Sequence, residues 1–287
     1  MNPPILRTLR VSHWLKNLII FAPLVFARHF VAADIISVSE VFILFCLLAS
    51  GVYVVNDIFD RGSDAKHPRK RLRPIASGEL RVTSASILAI FLIGVPLLLS
   101  FLKWPAVFQV LLVYFLLQLL YSAWLRHVVI LDVIAIAVGF LLRIWSGALV
   151  INVPVSHWLA SAAFLLALLL VFAKRYQEFA VMGEKDPASR GTLEAYSPDF
   201  LRGLILLSAA GTLVSYMLYT ADPETARRFG TDSLMYTDLF VAFGIFRFLY
   251  HVYRRDLPDN PLEVIFRDFY LLGAILLWGA LALAVIY

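Results

Sequence analysis

The chain is poor in charge. Asp, Glu, Lys and Arg make up 16% of its 287 residues and apolar types 61%, where a soluble domain carries about 25% charged residues. Six Trp, 12 Tyr and 22 Phe add to an apolar load too large for one water-facing domain to bury. The sole cysteine, Cys46, excludes a secreted disulfide scaffold. The longest polar stretches, Val54–Thr83 and Lys174–Asp199, are too short for a second domain outside a membrane. Internal repeats and low-complexity runs are lacking. Met1 to Arg10 holds Pro3, Pro4, Arg7 and Arg10 without an apolar core, so no cleavable signal is expected.

What remains is an all-α polytopic membrane protein, expected to be a single catalytic domain over residues 1–287. A span takes roughly 20 apolar residues. Nine candidates are read near His13–Phe30, Val38–Val55, Ser84–Leu102, Pro105–Trp124, Val128–Ile151, Val155–Ala173, Leu201–Thr220, Met235–Tyr253 and Ile265–Tyr287. Lys16, Asn17, Pro23 and Arg28 interrupt the first.

The net charge of +5 and pI near 9.3 are concentrated in short loops, which argues for membrane topology and anionic ligands and against nucleic acid. One side carries Arg7, Arg10, Arg61, Lys66, Arg69, Lys70, Arg71, Arg73, Arg81, Arg126, Lys174, Arg175, Lys185, Arg190, Arg202, Arg254 and Arg255. The other carries Arg28, Lys103, Arg227 and Arg228. The basic excess places the first side, with the N-terminus, in the cytoplasm, and the protein in the inner (cytoplasmic) membrane among its lipids.

Asn56, Asp57, Asp60 and Asp64 close the second span. If the helix continues, the acids stand at i, i+3 and i+7, and all four oxygen-bearing side chains fall within about a 100° arc. Carboxylates so close repel, and a membrane boundary adds desolvation. Mg2+ fits, since it takes oxygen ligands and bridges one or two carboxylates to a phosphate. The competing reading is a solvated helix end paired with Arg61. Next comes a basic run from Lys66 to Arg73, in which Lys70 and Arg73 are the candidates for phosphoryl oxygens. Positive-inside anchoring accounts for other members of that run.

The segment Asn56–Asp64, in a chain of this pattern, resembles the first aspartate-rich motif of the UbiA superfamily of intramembrane prenyltransferases. That resemblance implies a nine-helix transmembrane bundle with a cytoplasm-facing polar cavity. Trp14-Leu15-Lys16-Asn17, His67 to Gly78, Gly139 to Arg143 and Lys174 to Glu178 are similar to the decaprenyl-phosphate phosphoribosyltransferase branch. The branch implies transfer of 5-phosphoribose from phosphoribosyl diphosphate to a polyprenyl phosphate, supplying envelope arabinan. It also implies a phosphate contact at Lys16. Superfamily members acting on aromatic acceptors carry a second acidic motif after span six. Here that place reads Ala173-Lys174-Arg175-Tyr176-Gln177-Glu178, and Asp186 and Glu194 follow at the wrong spacing. A donor with a 5-phosphate needs one metal cluster and more cations, which makes Lys174 and Arg175 candidates. Tyr176 and Glu178 are read as ribose contacts or as support for Lys174.

Asp132 and Arg143 lie eleven residues apart on one stripe of the fifth span. Ionisable groups within a span face a partner or a wet cavity. Asp132 is read as lying near the cytoplasmic mouth and ordering a second metal, a ribose hydroxyl or a basic residue. Arg143 is read as meeting a phosphate or a carboxylate, with an interhelical ion pair as the alternative. Arg247 is expected to pair with a neighbouring helix, and Arg254, Arg255 and Asp268 to form a solvated connection. His13, His67, His127, His157 and His251 lack metal-ligand spacing, which argues against zinc. Two other functions stay open: prenyl transfer from a prenyl diphosphate to an aromatic or polar acceptor, and a transporter or lipid-binding scaffold. A homo-oligomer is compatible with the sequence.

Overall fold

A computed structural model describes residues 3–28, 30–68, 70–182, 195–254, 258 and 263–287. Arg69, Lys185, Asp186, Arg190, Glu194 and Arg255 fall outside these. The described residues are helical and contain no strand. The helices are α1 (Pro4–Leu9), α2 (Ala22–Phe26), α3 (Ala32–Phe59), α4 (Arg61–Asp64), α5 (Val82–Lys103), α6 (Pro105–Ala123), α7 (Leu131–Val150), α8 (His157–Met182), α9 (Pro198–Ala221), α10 (Pro223–Phe229), α11 (Asp238–Arg254), α12 (Val264–Arg267) and α13 (Phe269–Ile286).

Among the described residues, eight segments are long and apolar enough to cross a membrane: α3, α5, α6, α7, α9, α13, the His157–Phe179 part of α8, and Ser233–Arg254, which contains α11. Their outward residues are large and apolar, including Ile87, Ile90 and Phe91 on α5 and Leu276 and Leu277 on α13. A hydrocarbon solvent permits that surface, and the chain is an integral membrane protein.

The expected first span differs. Val11–Phe21 forms a 3-10 helix that leads into α2. Arg10 precedes it in the left-handed region (φ 51°), and Pro23 brings no backbone N–H to the α2 turn. Asn17 is buried by side-chain contacts. At a 3-10 rise of about 2 Å per residue, Val11–Phe26 still covers about 30 Å, the thickness of a bilayer core.

Helix ends follow local chemistry. Ser197 Oγ accepts from the Phe200 amide at 3.1 Å, and Pro198 opens α9. Asp222 caps α10 through the Thr225 amide, and Gly230 ends it at φ 74°. α3 stops at Phe59, where Asp60 leaves helical geometry, yet the Asp64 amide still donates to the Asp60 carbonyl at 2.8 Å. The helical track therefore passes from α3 into α4 almost unbroken.

The chain forms two compact units. One takes the residues up to Leu125 with Leu142–Pro154, and the other takes Arg126–Leu141 with Val155 onward. In the first, α3 lies close on α5 because Gly51 meets Leu92 and Ile93 without a side chain of its own. Val54, Ile75, Ala85, Ala89 and Leu92 bury together there. At Gly147 of α7 the backbone approach is closer still: a Cβ would strike the Ile20 carbonyl oxygen. In the second unit, Leu169, Phe172, Tyr176, Leu201, Ile205, Ile245, Phe248 and Leu271 build a core from α8, α9, α11 and α13.

Candidate functional site

The acidic motif sits in the first unit. Asp57 and Asp64 are each 3% exposed, and Asp60 is half-buried. Two buried carboxylates on one helical track need compensation, and the chain supplies it. Arg10 Nη2 donates to Asp57 Oδ1 at 2.5 Å. Arg73 Nη1 donates to the same Oδ1 at 3.1 Å and to Asp64 Oδ2 at 2.6 Å. One guanidinium nitrogen thus bridges two acids seven positions apart. The Arg10 guanidinium also lies over the Tyr53 ring, 4.8 Å from its centroid.

The expected cluster of three carboxylates around a metal is not assembled in this form. Among the described residues, no three His, Cys, Asp or Glu side chains are placed to hold a metal ion. The donor chemistry still fits one. Asp57 and Asp64 offer hard oxygens that already converge on one cationic atom, with Asn56 and Asp60 beside them. These are the oxygen donors a divalent ion takes, and they would be open to one if Arg73 moved aside. On other sides of the same turns, Val55, Ile58 and Phe59 line an apolar groove with Ala89, Ile90 and Ile93 of α5, of about 490 Å³.

The N-terminal segment is strapped to the following loop. Arg7 donates to Glu79 at 2.8 Å and to the Leu72 carbonyl at 2.6 Å. Ser50 Oγ donates to the Leu9 carbonyl and accepts from Trp14 Nε1. Lys70 is exposed in a 3-10 turn (Lys70–Leu72), and Lys16 is exposed on the first 3-10 helix.

Arg143 is buried and meets neutral groups. Its Nε donates to Asn17 Oδ1 at 2.6 Å and its Nη2 to the Tyr114 hydroxyl at 3.1 Å. Phe45 and Tyr114 present their ring faces to it, with centroids 4.8 and 4.9 Å away. Asn17 also donates to Cys46 Sγ. These contacts hold the irregular first segment to α3, α6 and α7.

A second charged cluster lies in the other unit. Asp132, fully buried, accepts from Arg175 Nη2 at 2.9 Å and from the Tyr196 hydroxyl at 2.9 Å. The Ile130 amide donates to the same hydroxyl at 2.7 Å. Burial pushes the Tyr196 phenol up to about 12, so it remains a donor to Asp132. Ile130 holds φ 72°, a strained value for a β-branched residue. Of the partners expected for Asp132, the basic residue is the one present. Arg175 Nη1 also approaches Glu178 at 3.5 Å, and Lys174, with 53% of its side chain exposed, approaches Glu178 at 3.6 Å. Tyr176 departs from the expectation of a ribose contact. It is 2% exposed, packs in the core, and accepts from Arg202 Nε at 3.1 Å.

Asp268 is also not the solvated residue expected. It caps α13 through the Leu271 amide at 2.7 Å, pairs with Arg247 at 2.7 Å, and lies 2.7 Å from His251 Nε2. The Arg247 bond, with the Leu271 amide and His251, holds its carboxyl far below the usual carboxylate range although burial opposes this. The pairing expected of Arg247 is thus with Asp268 at the head of a neighbouring helix.

Arg10 and Tyr196 have no motif-level signal. Arg10 reads as one more basic residue of the cytoplasmic set, and Tyr196 as an aromatic in a polar loop.

Comparison with known proteins gives a consistent result. A model of the UbiA prenyltransferase family matches residues 18–261. Decaprenyl-phosphate phosphoribosyltransferase of Corynebacterium glutamicum is 35% identical over 222 residues, covering 76% of this chain and 67% of that protein. The protein of the same name from Mycolicibacterium smegmatis is 30% identical over 293 residues, covering 99% and 92%. In fold, the chain resembles a UbiA homolog from Archaeoglobus fulgidus, solved with DMAPP and Mg2+. The TM-score is 0.70 at 17% identity, with 98% of each chain covered. The helical bundle, its apolar surface and these relatives converge on one assignment: the chain belongs to the UbiA prenyltransferase family and is a membrane-embedded transferase.

Proposed function

We propose that the chain transfers 5-phosphoribose from phosphoribosyl diphosphate to a polyprenyl phosphate of the decaprenyl type, releasing diphosphate, with Mg2+ as cofactor. The observation that carries this reading is likeness over 76% and 99% of the chain to two proteins named decaprenyl-phosphate phosphoribosyltransferase. The basic character of Lys174 and Arg175, at the place of a second acidic motif, supports it.

The bond from the anomeric carbon to diphosphate breaks, and its electron pair leaves with the diphosphate. A phosphate oxygen of the lipid forms the new bond on the opposite face, inverting the centre. The acceptor is already anionic, so no strong base is required. Asp57, Asp60 and Asp64, with Asn56, would hold the metal. Bound Mg2+ supplies neutralisation of the charge that develops on the leaving oxygen. Lys16, Lys70, Arg73, Lys174 and Arg175 orient phosphate groups, and Asp132 and Glu178 fix the direction of Arg175. Arg143 and Tyr176 act through the packing that supports these elements. Bringing a lipid phosphate and a water-soluble donor together at the cytoplasmic side supplies much of the acceleration. The excess of Lys and Arg in the loops on that side supports the orientation.

The fold likeness to a protein solved with DMAPP favours a second reading, prenyl transfer from a prenyl diphosphate. Purified protein with Mg2+ should convert labelled phosphoribosyl diphosphate and decaprenyl phosphate to a lipid heavier by one phosphoribosyl group. Turnover of geranylgeranyl diphosphate with an aromatic acceptor, and none with phosphoribosyl diphosphate, would replace the first reading by the second.

A further inference from the structure

We infer that Arg73 is an exchangeable counter-ion, which keeps the acidic motif closed to a bare divalent cation and yields it to one arriving with a diphosphate. The inference rests on the metal reading above and concerns how that site is filled.

In the first unit the buried Asp57 and Asp64 face Arg10 and Arg73, with the half-buried Asp60 on the same track. Asp57 Oδ1 and Asp64 Oδ2 both spend a lone pair on Arg73 Nη1. A divalent ion held between these acids would occupy the space that Arg73 Nη1 fills between Asp57 Oδ1 and Asp64 Oδ2, so the two cations would compete for one place. The loser cannot become neutral, because an arginine side chain does not deprotonate in proteins. A bare dication would therefore enter a nearly closed site and leave a displaced cation beside it.

The two arginines are not equivalent. Arg10 is anchored by the Tyr53 ring as well as by Asp57. Arg73 is held through Nη1 by the two acids themselves, at the end of the exposed Lys70–Leu72 turn. Arg73 is the one that moves. A diphosphate resolves the imbalance, because its oxygens ligate the metal and accept from the released guanidinium together. Metal and diphosphate then bind as a unit, and Arg73 passes from carboxylate to phosphate.

The test measures Mn2+ binding by electron paramagnetic resonance on detergent-solubilised protein, at matched free Mn2+, with and without phosphoribosyl diphosphate. Wild type should bind Mn2+ weakly alone and about tenfold or more tightly with the donor present. Arg73→Gln should bind bare Mn2+ about tenfold or more tightly than wild type, the scale on which a neighbouring charge shifts a carboxylate. The donor should then add little. Arg73→Lys keeps the cation and should keep the wild-type dependence. Equal Mn2+ affinity of wild type with and without the donor would overturn the exchange, even if Arg73→Gln fails to fold. Equal bare-metal affinity of Arg73→Gln and wild type would do the same. Absence of Mn2+ binding in every sample would overturn the metal reading and this inference with it.

Discussion

Arg175 Nη2 and Asp132 Oδ2 meet at 2.9 Å, joining the start of α7 to the middle of α8 across 43 positions of sequence. Asp132 is fully buried, so its charge rests on that guanidinium and on the Tyr196 hydroxyl. Removing one partner of a buried pair costs about 3–5 kcal/mol, whereas removing both costs far less. Arg175→Met should therefore lower the melting temperature in detergent sharply, and the double variant Asp132→Asn/Arg175→Met should recover most of the loss. If the double variant melts no higher than the single one, the pair is not the source of the stability.

Asp57 lies between two arginines and at the head of the proposed metal ligands. Asp57→Asn keeps the shape and removes the charge. Turnover of labelled phosphoribosyl diphosphate should fall about a hundredfold or more, the scale seen when a group stabilising developing charge is lost. The protein should still elute as a folded species in detergent. Near-wild-type turnover would remove Asp57 from the site.

The Asp268 cap gives a pH signature. Its carboxyl titrates below the ordinary value of 3.8 because Arg247, the Leu271 amide and His251 favour the charged form. A depressed acid stabilises the fold fully above its unfolded value, and the contribution fades as pH falls towards the folded one. Asp268→Asn should therefore melt below wild type at neutral pH, and the gap should narrow only below about pH 4. Thermal melts between pH 7 and pH 3 check this. A gap that closes already at pH 6 would show that the Asp268 carboxylate is not the source of the effect.

Gly147 has a steric role. A methyl group there meets the Ile20 carbonyl oxygen, a backbone atom that cannot swing away. Gly147→Ala should destabilise by about 1–3 kcal/mol. Gly94, with open space around it, should accept alanine with little change. Paired melts of the two variants decide the matter.

Much of this architecture is legible in the sequence because apolar length alone specifies a span. Every helix from α3 onward that is long enough to cross a membrane answers to an apolar run between charged or Pro/Gly breaks. The first run is apolar as read, but its 3-10 geometry is not legible in hydropathy, because Asn17 acts through side-chain contacts and Pro23 through the backbone N–H it lacks. The acidic motif is legible from spacing, since Asp57 and Asp64 do share a helical track. Its compensation is not, because Arg10 lies 47 positions from Asp57 and no local pattern links them. Tyr196 lies 64 positions from the carboxylate it serves, for the same reason. Burial separates residues that look alike in sequence: Lys174 is open and Tyr176, two positions on, is enclosed.

The strap formed by Arg7 and Arg10 has a practical consequence. Pro4–Arg10 touches the acidic motif and the loop behind it, so fluorophores, cross-linkers or affinity tags attached to these first residues will not be silent. A reporter there would register occupancy of the neighbouring carboxylates. A bulky fusion there would be expected to depress turnover for reasons unrelated to expression.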